Sequence, residues 1–392
     1  MTKPSTRALI VIFLLVPLGP LAIDIFLPSM PQMVDYFKSS DTNIQLTISL
    51  YVLALGLAQL IAGPVSDKYG RKISIIIGLI LYGFASLAIT FTQSIFYLYL
   101  FRVIQGLGAA FTMVSAMAWI RDHYDGIAAA KWLSYMGGVT SAIPTIAPVM
   151  GSLLAVYWGW FGGFYAMSLA ALFIFLLALN ALPSERPIIL TTDTDDTEKL
   201  SCNVKDILSN RQFLTFSAAN LLSFGGLLSY VAISPIVAIK EAGLTQLHFS
   251  ILFGLIGAGQ ITASFIAPKL MHSIGRSNTV LFGLAMIILS GITLFFVEQN
   301  KVNIFFILSA FGCAGFSMIS GAATSLSLEK FKYCAGLATS IDGFMRMVGG
   351  ATIAAVASLM AIGSFQKLAL VFTLSIVAFT LVLAWKIKNR AD

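Results

Sequence analysis

The stretch Gly63-Pro-Val-Ser-Asp-Lys-Tyr-Gly-Arg-Lys72 is a compact charged decapeptide between two apolar runs. Its charged residues all lie within six positions, whereas charged residues make up only 10% of the whole chain. A charged turn between two membrane-spanning segments lies at a membrane surface, and an excess of basic residues predicts the cytoplasmic surface. The stretch therefore predicts two transmembrane helices joined by a cytoplasmic turn. A solvated turn without further function is the alternative interpretation.

The composition is that of a membrane protein. The chain has 392 residues, of which 58% are hydrophobic, and its mean hydropathy is +0.90. Soluble domains are closer to half apolar and one quarter charged. The net charge of +7 does not indicate nucleic acid, because the basic residues form no patch or binding motif and lie in small groups between apolar runs. The three cysteines and three histidines are isolated, so we expect neither a metal site nor a disulfide framework.

Twelve apolar runs organise the chain. Lys3 and Arg7 precede the first run, which is too long for a signal peptide and lacks a small-residue cleavage site, so we predict an uncleaved first helix. Each run has roughly 20 residues or more, enough to cross ~30 Å of hydrocarbon. The runs cover residues 8–27, 43–63, 73–92, 95–119, 127–157, 161–182, 212–238, 248–268, 278–297, 303–327, 335–361 and 365–385.

The division of these runs predicts the domain organisation. A polar segment containing Asp193, Asp195, Asp196 and Glu198 separates the first six runs from the last six. We therefore predict an all-α polytopic membrane protein with a first six-helix bundle at 1–182, a cytoplasmic linker at 183–210 and a second six-helix bundle at 211–392.

The lysines and arginines predict the orientation. With the N-terminus inside the cell, eighteen of the 24 lie in inner segments and four in outer loops, while Arg102 and Arg346 lie inside helices. Such an asymmetry predicts a multi-pass protein whose two termini and linker are all cytoplasmic.

A second, degraded copy of the opening stretch lies in the second half. Gly275-Arg276 matches Gly70-Arg71 at an offset of 205 residues, although His272 replaces Asp67. Two related six-helix halves are typical of transporters, in which the halves rock about a central site. Chance similarity of one short turn is the alternative.

Two opposite charges lie inside helices of the first half. Asp24 lies about 24 Å from the inner surface and Arg102 about 10 Å below the outer one, so their depths nearly coincide across ~30 Å of hydrocarbon. Charges inside a membrane are costly and usually mark ion pathways. Asp24 and Arg102 can pair, or can exchange partners while Asp24 takes up and releases a proton. A permanent structural ion pair is the alternative.

Two further features have a structural and a functional interpretation. Asp342 and Arg346 share one face of the eleventh helix and can neutralise one another, or they line the cytoplasmic half of a cavity and bind polar substrate groups. In the fifth helix, prolines remove backbone donors and glycines permit close packing, which suits a hinge between halves or ordinary packing. The residues of the proposed hinge are Gly138, Pro144, Pro148 and Gly151.

Four motifs carry a family resemblance over essentially the whole chain. Gly63–Lys72 resembles the signature between helices two and three of the major facilitator superfamily. Arg102-x-x-Gln105-Gly-x-Gly resembles its fourth-helix motif, and the glycine and proline run of the fifth helix resembles its antiporter motif. The segment Ile23-Asp-Ile-Phe-Leu-Pro-Ser-Met-Pro31 resembles the first-helix signature of the bicyclomycin/chloramphenicol-resistance group of drug:proton antiporters.

The resemblance implies a major facilitator fold and a proton-driven antiporter of the bacterial inner membrane that exports small amphiphilic drugs. It implies that Asp24 is the protonatable residue and Arg102 its fourth-helix partner. It also implies that Asp67 and Arg71 latch the two halves on the cytoplasmic side, in a loop that includes Gly63, Gly70 and Lys72. Asp342 and Arg346 match no pattern of this group.

We expect a substrate pocket with an apolar and aromatic lining and a few polar groups. Its candidate residues are Asp24, Tyr51, Arg102, Gln105, Tyr135, Met136, Phe224, Tyr230, Asp342 and Arg346. The chain contains no Gly-x-x-x-x-Gly-Lys-Ser/Thr loop, so nothing indicates ATP, and we expect the proton gradient to supply the energy without a cofactor. The expected partners are protons, a small molecule and the lipid bilayer, with no nucleic acid, and we expect a monomer.

Other functions remain open from the sequence. The protein can export an endogenous metabolite such as a siderophore or an amino acid, and Arg346 favours an anionic or zwitterionic cargo. An uptake symporter of the same fold is a second possibility. A membrane receptor or scaffold without transport is a third, against which the costly charges Asp24 and Arg102 argue. The spans exclude a soluble enzyme.

Overall fold

The computed structural model describes residues 5–124, 126–183 and 204–391, and in this part of the chain every regular element is helical. The prediction of an all-α protein with twelve long helices is confirmed. The helices are α1 (Thr6–Tyr36), α2 (Asp41–Tyr69), α3 (Arg71–Ile89), α4 (Ile95–His123), α5 (Gly126–Trp158), α6 (Phe161–Ala181), α7 (Arg211–Pro235), α8 (Gln246–Ile274), α9 (Arg276–Phe295), α10 (Val302–Ser327), α11 (Ala335–Leu359) and α12 (Ser364–Ala391).

Among the described residues, eleven of these helices are long and apolar enough, by length and composition, to cross a membrane. The exception is α11, in which Asp342 and Arg346 lower the hydropathy. Its 25 residues nevertheless extend over ~37 Å at about 1.5 Å per residue, which exceeds the hydrocarbon thickness.

The chain divides into two compact units. The first contains α1–α6 together with Gly243–Gly257, which includes the start of α8, and the second contains α7, the rest of α8 from Ala258, and α9–α12. In the first unit the most extensive packing joins α3 to α4 and α2 to α4; in the second it joins α9 to α10, α7 to α11 and α9 to α12. Of the predicted linker, Pro183, the short helix Val204–Ser209 and Asn210 are described, whereas 184–203 lie outside the described residues.

The charged decapeptide is not a ten-residue turn. α2 continues as a helix through Pro64 to Tyr69, and α3 begins at Arg71, so only Gly70 separates them. Gly70 has φ 94°, a conformation that glycine adopts without steric cost, and its N–H bonds to the Ser66 carbonyl at 3.0 Å. The helix therefore ends at a glycine whose positive φ lets the chain leave α2 and start α3 within one residue.

The second half repeats this geometry. Gly275 has φ 88°, bonds to the Met271 carbonyl at 3.0 Å, and alone separates α8 from α9. The repeat at an offset of 205 residues is thus present in the backbone and not only in the sequence.

Each unit also contains one close crossing of two glycines between neighbouring helices. A Cβ added to Gly78 in α3 would lie 2.8 Å from the Gly108 oxygen in α4, and a Cβ added to Gly108 would lie 2.6 Å from the Gly78 oxygen. Gly283 and Gly315 form the same reciprocal contact between α9 and α10, at 2.7 and 2.6 Å. Small residues allow membrane helices to approach closely. Each crossing positions one pair of helices in its unit.

α1 is broken rather than regular. It contains the segments Thr6–Leu15, Leu18–Asp24 and Met30–Tyr36, with the 3-10 turn Leu27–Ser29 before the last segment. Pro17 and Pro28 have no backbone N–H, so the carbonyl oxygens four residues before them lose their helical donors. For Pro28 that carbonyl belongs to Asp24. The predicted run 8–27 therefore continues as an interrupted helix to Tyr36.

Candidate functional site

Asp24 lies at the break in α1. It is the last residue of the segment Leu18–Asp24, and its side chain is 4% exposed. The carboxylate makes no hydrogen bond or ion pair with another described residue. An ionised carboxylate in such surroundings has lost its water and gained no donor, which is unfavourable. Protonation neutralises the carboxyl group and so removes this free-energy cost.

Arg102 in α4 is completely buried next to this break. Its Nη1 donates to the carbonyl oxygen of Ala22 at 2.9 Å and to Oε1 of Gln105 at 2.6 Å, while Nε donates to the carbonyl oxygen of Thr47 at 3.3 Å. Its guanidinium carbon lies 4.6 Å from the ring centroid of Tyr51. Guanidinium groups favour such stacking and multiple acceptors.

No ion pair joins Asp24 and Arg102 among the described residues, since every hydrogen bond of Arg102 goes to another acceptor. The permanent ion pair considered from the sequence is therefore not what the structure shows. Arg102 instead stabilises the main chain two residues before Asp24. Arg102 therefore acts on the backbone next to Asp24 and not on its carboxylate.

Two tyrosines complete the support of α1. Tyr51 of α2 donates to the Gly19 carbonyl oxygen at 2.8 Å, and Tyr82 of α3 donates to that of Leu18 at 2.9 Å. Both tyrosines are fully buried. Three helices thus each direct one side-chain donor at the proline-rich segment before Asp24. The sequence predicted Tyr51 as a pocket residue and missed Tyr82, which no motif distinguishes from a packing aromatic.

Gln105 extends this network across the first unit. Its Oε1 accepts from Arg102, and its Nε2 donates to Oγ of Ser86 in α3 at 2.8 Å. Nε2 also lies 3.6 Å from the Met167 sulfur in α6. Gln105 is fully buried, so it orients the guanidinium and does not line an open surface.

Gly151 of α5 lies directly against the break in α1. A Cβ at this position would be 1.7 Å from the carbonyl oxygen of Ile25, the residue after Asp24. The close packing predicted for Gly151 is therefore present. At Gly138 an added Cβ would meet nothing within 4 Å, so the packing expected there is absent from the described contacts.

α5 is one continuous helix with Pro144 and Pro148 inside it. Both prolines lie where α5 meets the start of α8, within the first unit: Oγ of Ser250 donates to the Pro148 carbonyl oxygen at 2.9 Å. A Cβ on Gly254 would be 2.9 Å from the Thr145 oxygen. A hinge in α5 stays a prediction.

The charged stretch Gly63–Lys72 forms ion pairs and hydrogen bonds with the ends of α4 and α6 within the first unit, and we call this set of contacts the clasp. Nε of Arg71 pairs with Oδ2 of Asp122, at the end of α4, at 2.6 Å, and Nη1 of Arg71 pairs with Asp67 and bonds to Ser66 at 3.0 Å. Lys72 donates to the carbonyl oxygen of Leu179 near the end of α6 at 2.8 Å. Gly63 has open space around it. The sequence missed Asp122, whose position at a helix end resembles any solvated acid.

An equivalent clasp lies in the second unit. Arg276, at the start of α9, pairs with Glu329, which follows α10, at 2.6 Å. Nε2 of Gln212 in α7 donates to the same carboxylate at 3.1 Å. The second copy of the charged stretch has His272 in place of the acid, but its arginine still forms an ion pair with an acidic residue near a neighbouring helix.

Asp342 and Arg346 of α11 have different partners. Oδ1 of Asp342 accepts from Ser217 at 2.5 Å, and Oδ2 accepts from Asn220 at 3.5 Å, both on α7. The guanidinium of Arg346 lies 5.8 Å from the Phe224 ring centroid, and its buried Nε has no hydrogen-bond partner. No ion pair joins Asp342 and Arg346 in the described structure, so the mutual neutralisation considered from the sequence is not observed as a direct contact.

The chain resembles known transporters throughout. Residues 12–355 match the Major Facilitator Superfamily. Multidrug resistance protein MdtL of Escherichia coli O127:H6 is 30% identical over 379 residues, which are 96% of this chain and 95% of that protein. The MdtL of Escherichia coli strain K12 has the same identity and coverage.

The chain belongs to the Major Facilitator Superfamily.

Two solved structures share the superfamily fold. The D-xylose-proton symporter aligns with a TM-score of 0.79 at 14% identity over 95% of this chain and 96% of that one. A bacterial homologue of the human lysosomal transporter Spinster, in an inward-facing and occupied conformation, aligns with a TM-score of 0.77 at 13% identity over 96% and 95%. As a member of the Major Facilitator Superfamily the chain is a membrane-embedded transporter of small molecules and not an enzyme.

The remaining pocket candidates of this superfamily member lie in different surroundings. Met136 and Tyr230 are 1% exposed, so both contribute to packing, whereas Tyr135 is half exposed beside Lys131. Phe224 packs against Phe316 at 5.9 Å between ring centroids. No group of three or more metal-binding side chains occurs within the described ranges.

One cavity of ≈ 690 Å³ lies at the α3–α4 turn and is lined mostly by aromatic and aliphatic side chains. None of the predicted pocket residues lines it. Its walls include Phe84, Phe91, Tyr97 and Phe101.

Proposed function

We propose that this protein is a proton-coupled antiporter that exports small amphiphilic compounds, drugs among them, from the cytoplasm by alternating access. The observation that carries the proposal is Asp24: a buried acid at the break of α1, with no ion-pair partner among the described residues. The name of the relative, multidrug resistance protein MdtL, supports drugs as the cargo.

The coupling of proton and cargo transport follows from the free-energy cost of burying the Asp24 carboxylate without a partner. When Asp24 faces the outside, a proton from the higher external concentration neutralises it. When it faces the cytoplasm, the proton leaves and a compound binds to the transporter. A change of access therefore moves protons inward and cargo outward, because each state has a different preferred occupant.

The surroundings of Asp24 keep its geometry defined during this exchange. Tyr51, Tyr82 and Arg102 fix the carbonyl oxygens of the preceding helical turn, and none of the three needs the carboxylate itself as an acceptor. The acid can therefore gain or lose a proton without breaking a supporting hydrogen bond. The proton gradient supplies the energy, and we propose no cofactor.

The proposal includes the bacterial inner membrane as the location, cytoplasmic termini and a monomeric transporter. The distribution of lysine and arginine supports the orientation, since eighteen of 24 lie in the segments assigned to the inside. Access of a cysteine reagent to single cysteines placed near residue 5 and at Lys301 tests it: label from outside should reach only the second.

The decisive experiment begins with a panel of antibacterial compounds tested on cells with and without the protein, which identifies an exported compound. In inside-out vesicles, Asp24→Asn should abolish proton release driven by that compound while the protein stays folded. Asp35→Asn is the matched control, because it removes the same charge from the exposed outer end of α1. Full pH-dependent export by Asp24→Asn would overturn the mechanism, and uptake under an imposed gradient would reverse its direction.

Export of an endogenous anionic or zwitterionic metabolite is the second candidate. The observation that favours it is Arg346, whose buried Nε has no acceptor. An unchanged affinity of Arg346→Ala for the exported compound would remove this support.

A further inference from the structure

Two successive side-chain contacts join α7 to α11: the lower rung is Asn220 with Asp342, and the upper rung is Phe224 with Arg346. Asn220 and Phe224 lie one turn apart on α7, and Asp342 and Arg346 lie one turn apart on α11. Asn220 bonds to Asp342 at 3.5 Å, and Phe224 lies under Arg346 at 5.8 Å. Since both helices advance by one turn from one rung to the next, they run side by side in a defined register.

Glycines hold this register tightly. A Cβ on Gly349 would lie 2.3 Å from Cδ1 of Leu221, and a Cβ on Gly350 would lie 2.5 Å from Cδ1 of Phe224. The ring of Phe224 is therefore wedged against the backbone of α11.

The lower rung is chemically complete. Asp342 is 4% exposed and accepts from Ser217 and Asn220, and Asn220 also donates to Oγ1 of Thr324 in α10 at 3.0 Å. These donors hold the carboxylate on α7, away from Arg346. The acid at i−4, which is the nearest candidate partner on the same helix, is therefore already occupied.

The upper rung is chemically incomplete. Nε of Arg346 is buried without an acceptor, and the guanidinium lies over an aromatic ring. Burying a donor without a partner is unfavourable, and more so when the donor is charged. Arg346, Phe224 and Phe316 are all only half buried, so a compound can reach them.

We infer that Arg346, Phe224 and Phe316 form a subsite that binds the carboxylate, or another anionic oxygen group, of an aromatic compound. This inference rests on the proposed export function and names a substrate class for it. The guanidinium donates to the anionic oxygens, as planar guanidinium groups do with carboxylates. The ring of the compound packs against Phe224 and Phe316, which already form a tilted pair.

The charge of the subsite selects against cations. A cationic amphiphile would place a second positive charge beside Arg346. The nearest acid, Asp342, lies one helical turn away and is hydrogen-bonded to α7. Like charges in a medium of low dielectric constant repel strongly. An anion at the same place supplies the acceptor that Nε of Arg346 lacks.

Three matched compounds test the inference in the purified full-length protein in detergent, without a proton gradient. The compounds are 3-(4-hydroxyphenyl)propionate, its neutral amide and tyramine, which share the ring and differ in the charge at the other end. We expect equilibrium dialysis to show the propionate binding about tenfold more tightly than tyramine, with the amide between them. Tenfold corresponds to about 1.4 kcal/mol.

Arg346→Gln should abolish the preference for the anion, whereas Lys301→Gln, which removes an exposed positive charge in an outer loop, should preserve it. Arg346→Lys should retain part of the preference, because it keeps the charge and loses the planar donors. Equal or tighter binding of tyramine by the unmodified protein would overturn the inference even if every variant failed to fold. A preference that persists in folded Arg346→Gln would also overturn it. Because no gradient is applied, these results are independent of the Asp24→Asn export assay.

Discussion

Arg102 donates a hydrogen bond to the carbonyl oxygen of Ala22 at 2.9 Å and none to the carboxylate of Asp24, two residues further along. The acceptor is available because the helical segment ends at Asp24, where carbonyl oxygens lack donors from the next turn. A side chain that a motif associates with proton transfer thus has a direct structural task. It stabilises the break that presents the acid.

Arg102→Lys should destabilise the first unit and reduce export. Lysine can reach one acceptor but cannot reproduce the planar set of bonds to Ala22, Gln105 and Thr47. Hydrogen bonds to charged groups contribute about 1.5–3 kcal/mol each, so we expect a clear drop in Tm in detergent. Arg121→Lys, at the exposed end of the same helix, is the control. Wild-type Tm and export in Arg102→Lys would contradict the role assigned here.

Gly151→Ala should impair both folding and export, because its Cβ would lie 1.7 Å from the Ile25 carbonyl oxygen. α5 or the break in α1 must shift to accept it, which displaces Asp24. Gly138→Ala adds the same atom to the same helix in open space and should be tolerated. The yield of folded protein and the export rate of the two variants measure the difference. Equal behaviour of the two would show that the contact with α1 is dispensable.

The ion pairs of Arg71 should depend more on Asp122 than on Asp67. The side chain of Asp122 is 24% exposed, whereas that of Asp67 is 67% exposed. Exposed ion pairs contribute only ~0–1 kcal/mol because water screens them. We expect Asp122→Asn to lower Tm more than Asp67→Asn, as measured by thermal unfolding in detergent. If Asp67→Asn lowers Tm more than Asp122→Asn, the exposed ion pair with Arg71 is not the main contribution of Asp67 to stability.

Gly275→Ala should destabilise the second unit by about 1–3 kcal/mol, because φ 88° with ψ 157° is a conformation that is essentially restricted to glycine. Gly259→Ala is the matched control, inside the preceding helix α8. It has no heavy atom within 4 Å of the added Cβ, and a glycine in a helix interior is less stable than alanine by up to ~1 kcal/mol. The two substitutions should therefore change Tm in opposite directions. If Tm falls by a similar amount in both variants, the positive φ of Gly275 is not the cause of the destabilisation.

The fold was largely accessible from the amino-acid order. Each transmembrane helix satisfies its backbone within one contiguous segment, so apolar runs of sufficient length predict the helices one by one. The matching Gly70-Arg71 and Gly275-Arg276 predicted equivalent turns in the two halves, because a positive φ at a single-residue turn depends on glycine itself. The extent of the turn was predicted wrongly, since the stretch Gly63–Lys72 was interpreted as the turn, whereas the helix continues to Tyr69.

The interactions between helices were decided only by the tertiary structure. The sequence placed Asp24 near Arg102 in depth and Asp342 near Arg346 along one helix face, yet neither pair forms a direct bond in the described structure. In each case a neighbouring helix supplies a competing partner: the arginine takes the carbonyl oxygen of Ala22, and Asp342 takes Ser217 and Asn220. Depth and spacing are local properties of a segment. The choice of partner depends on which atoms packing leaves unsatisfied, and that appears only when the helices are assembled.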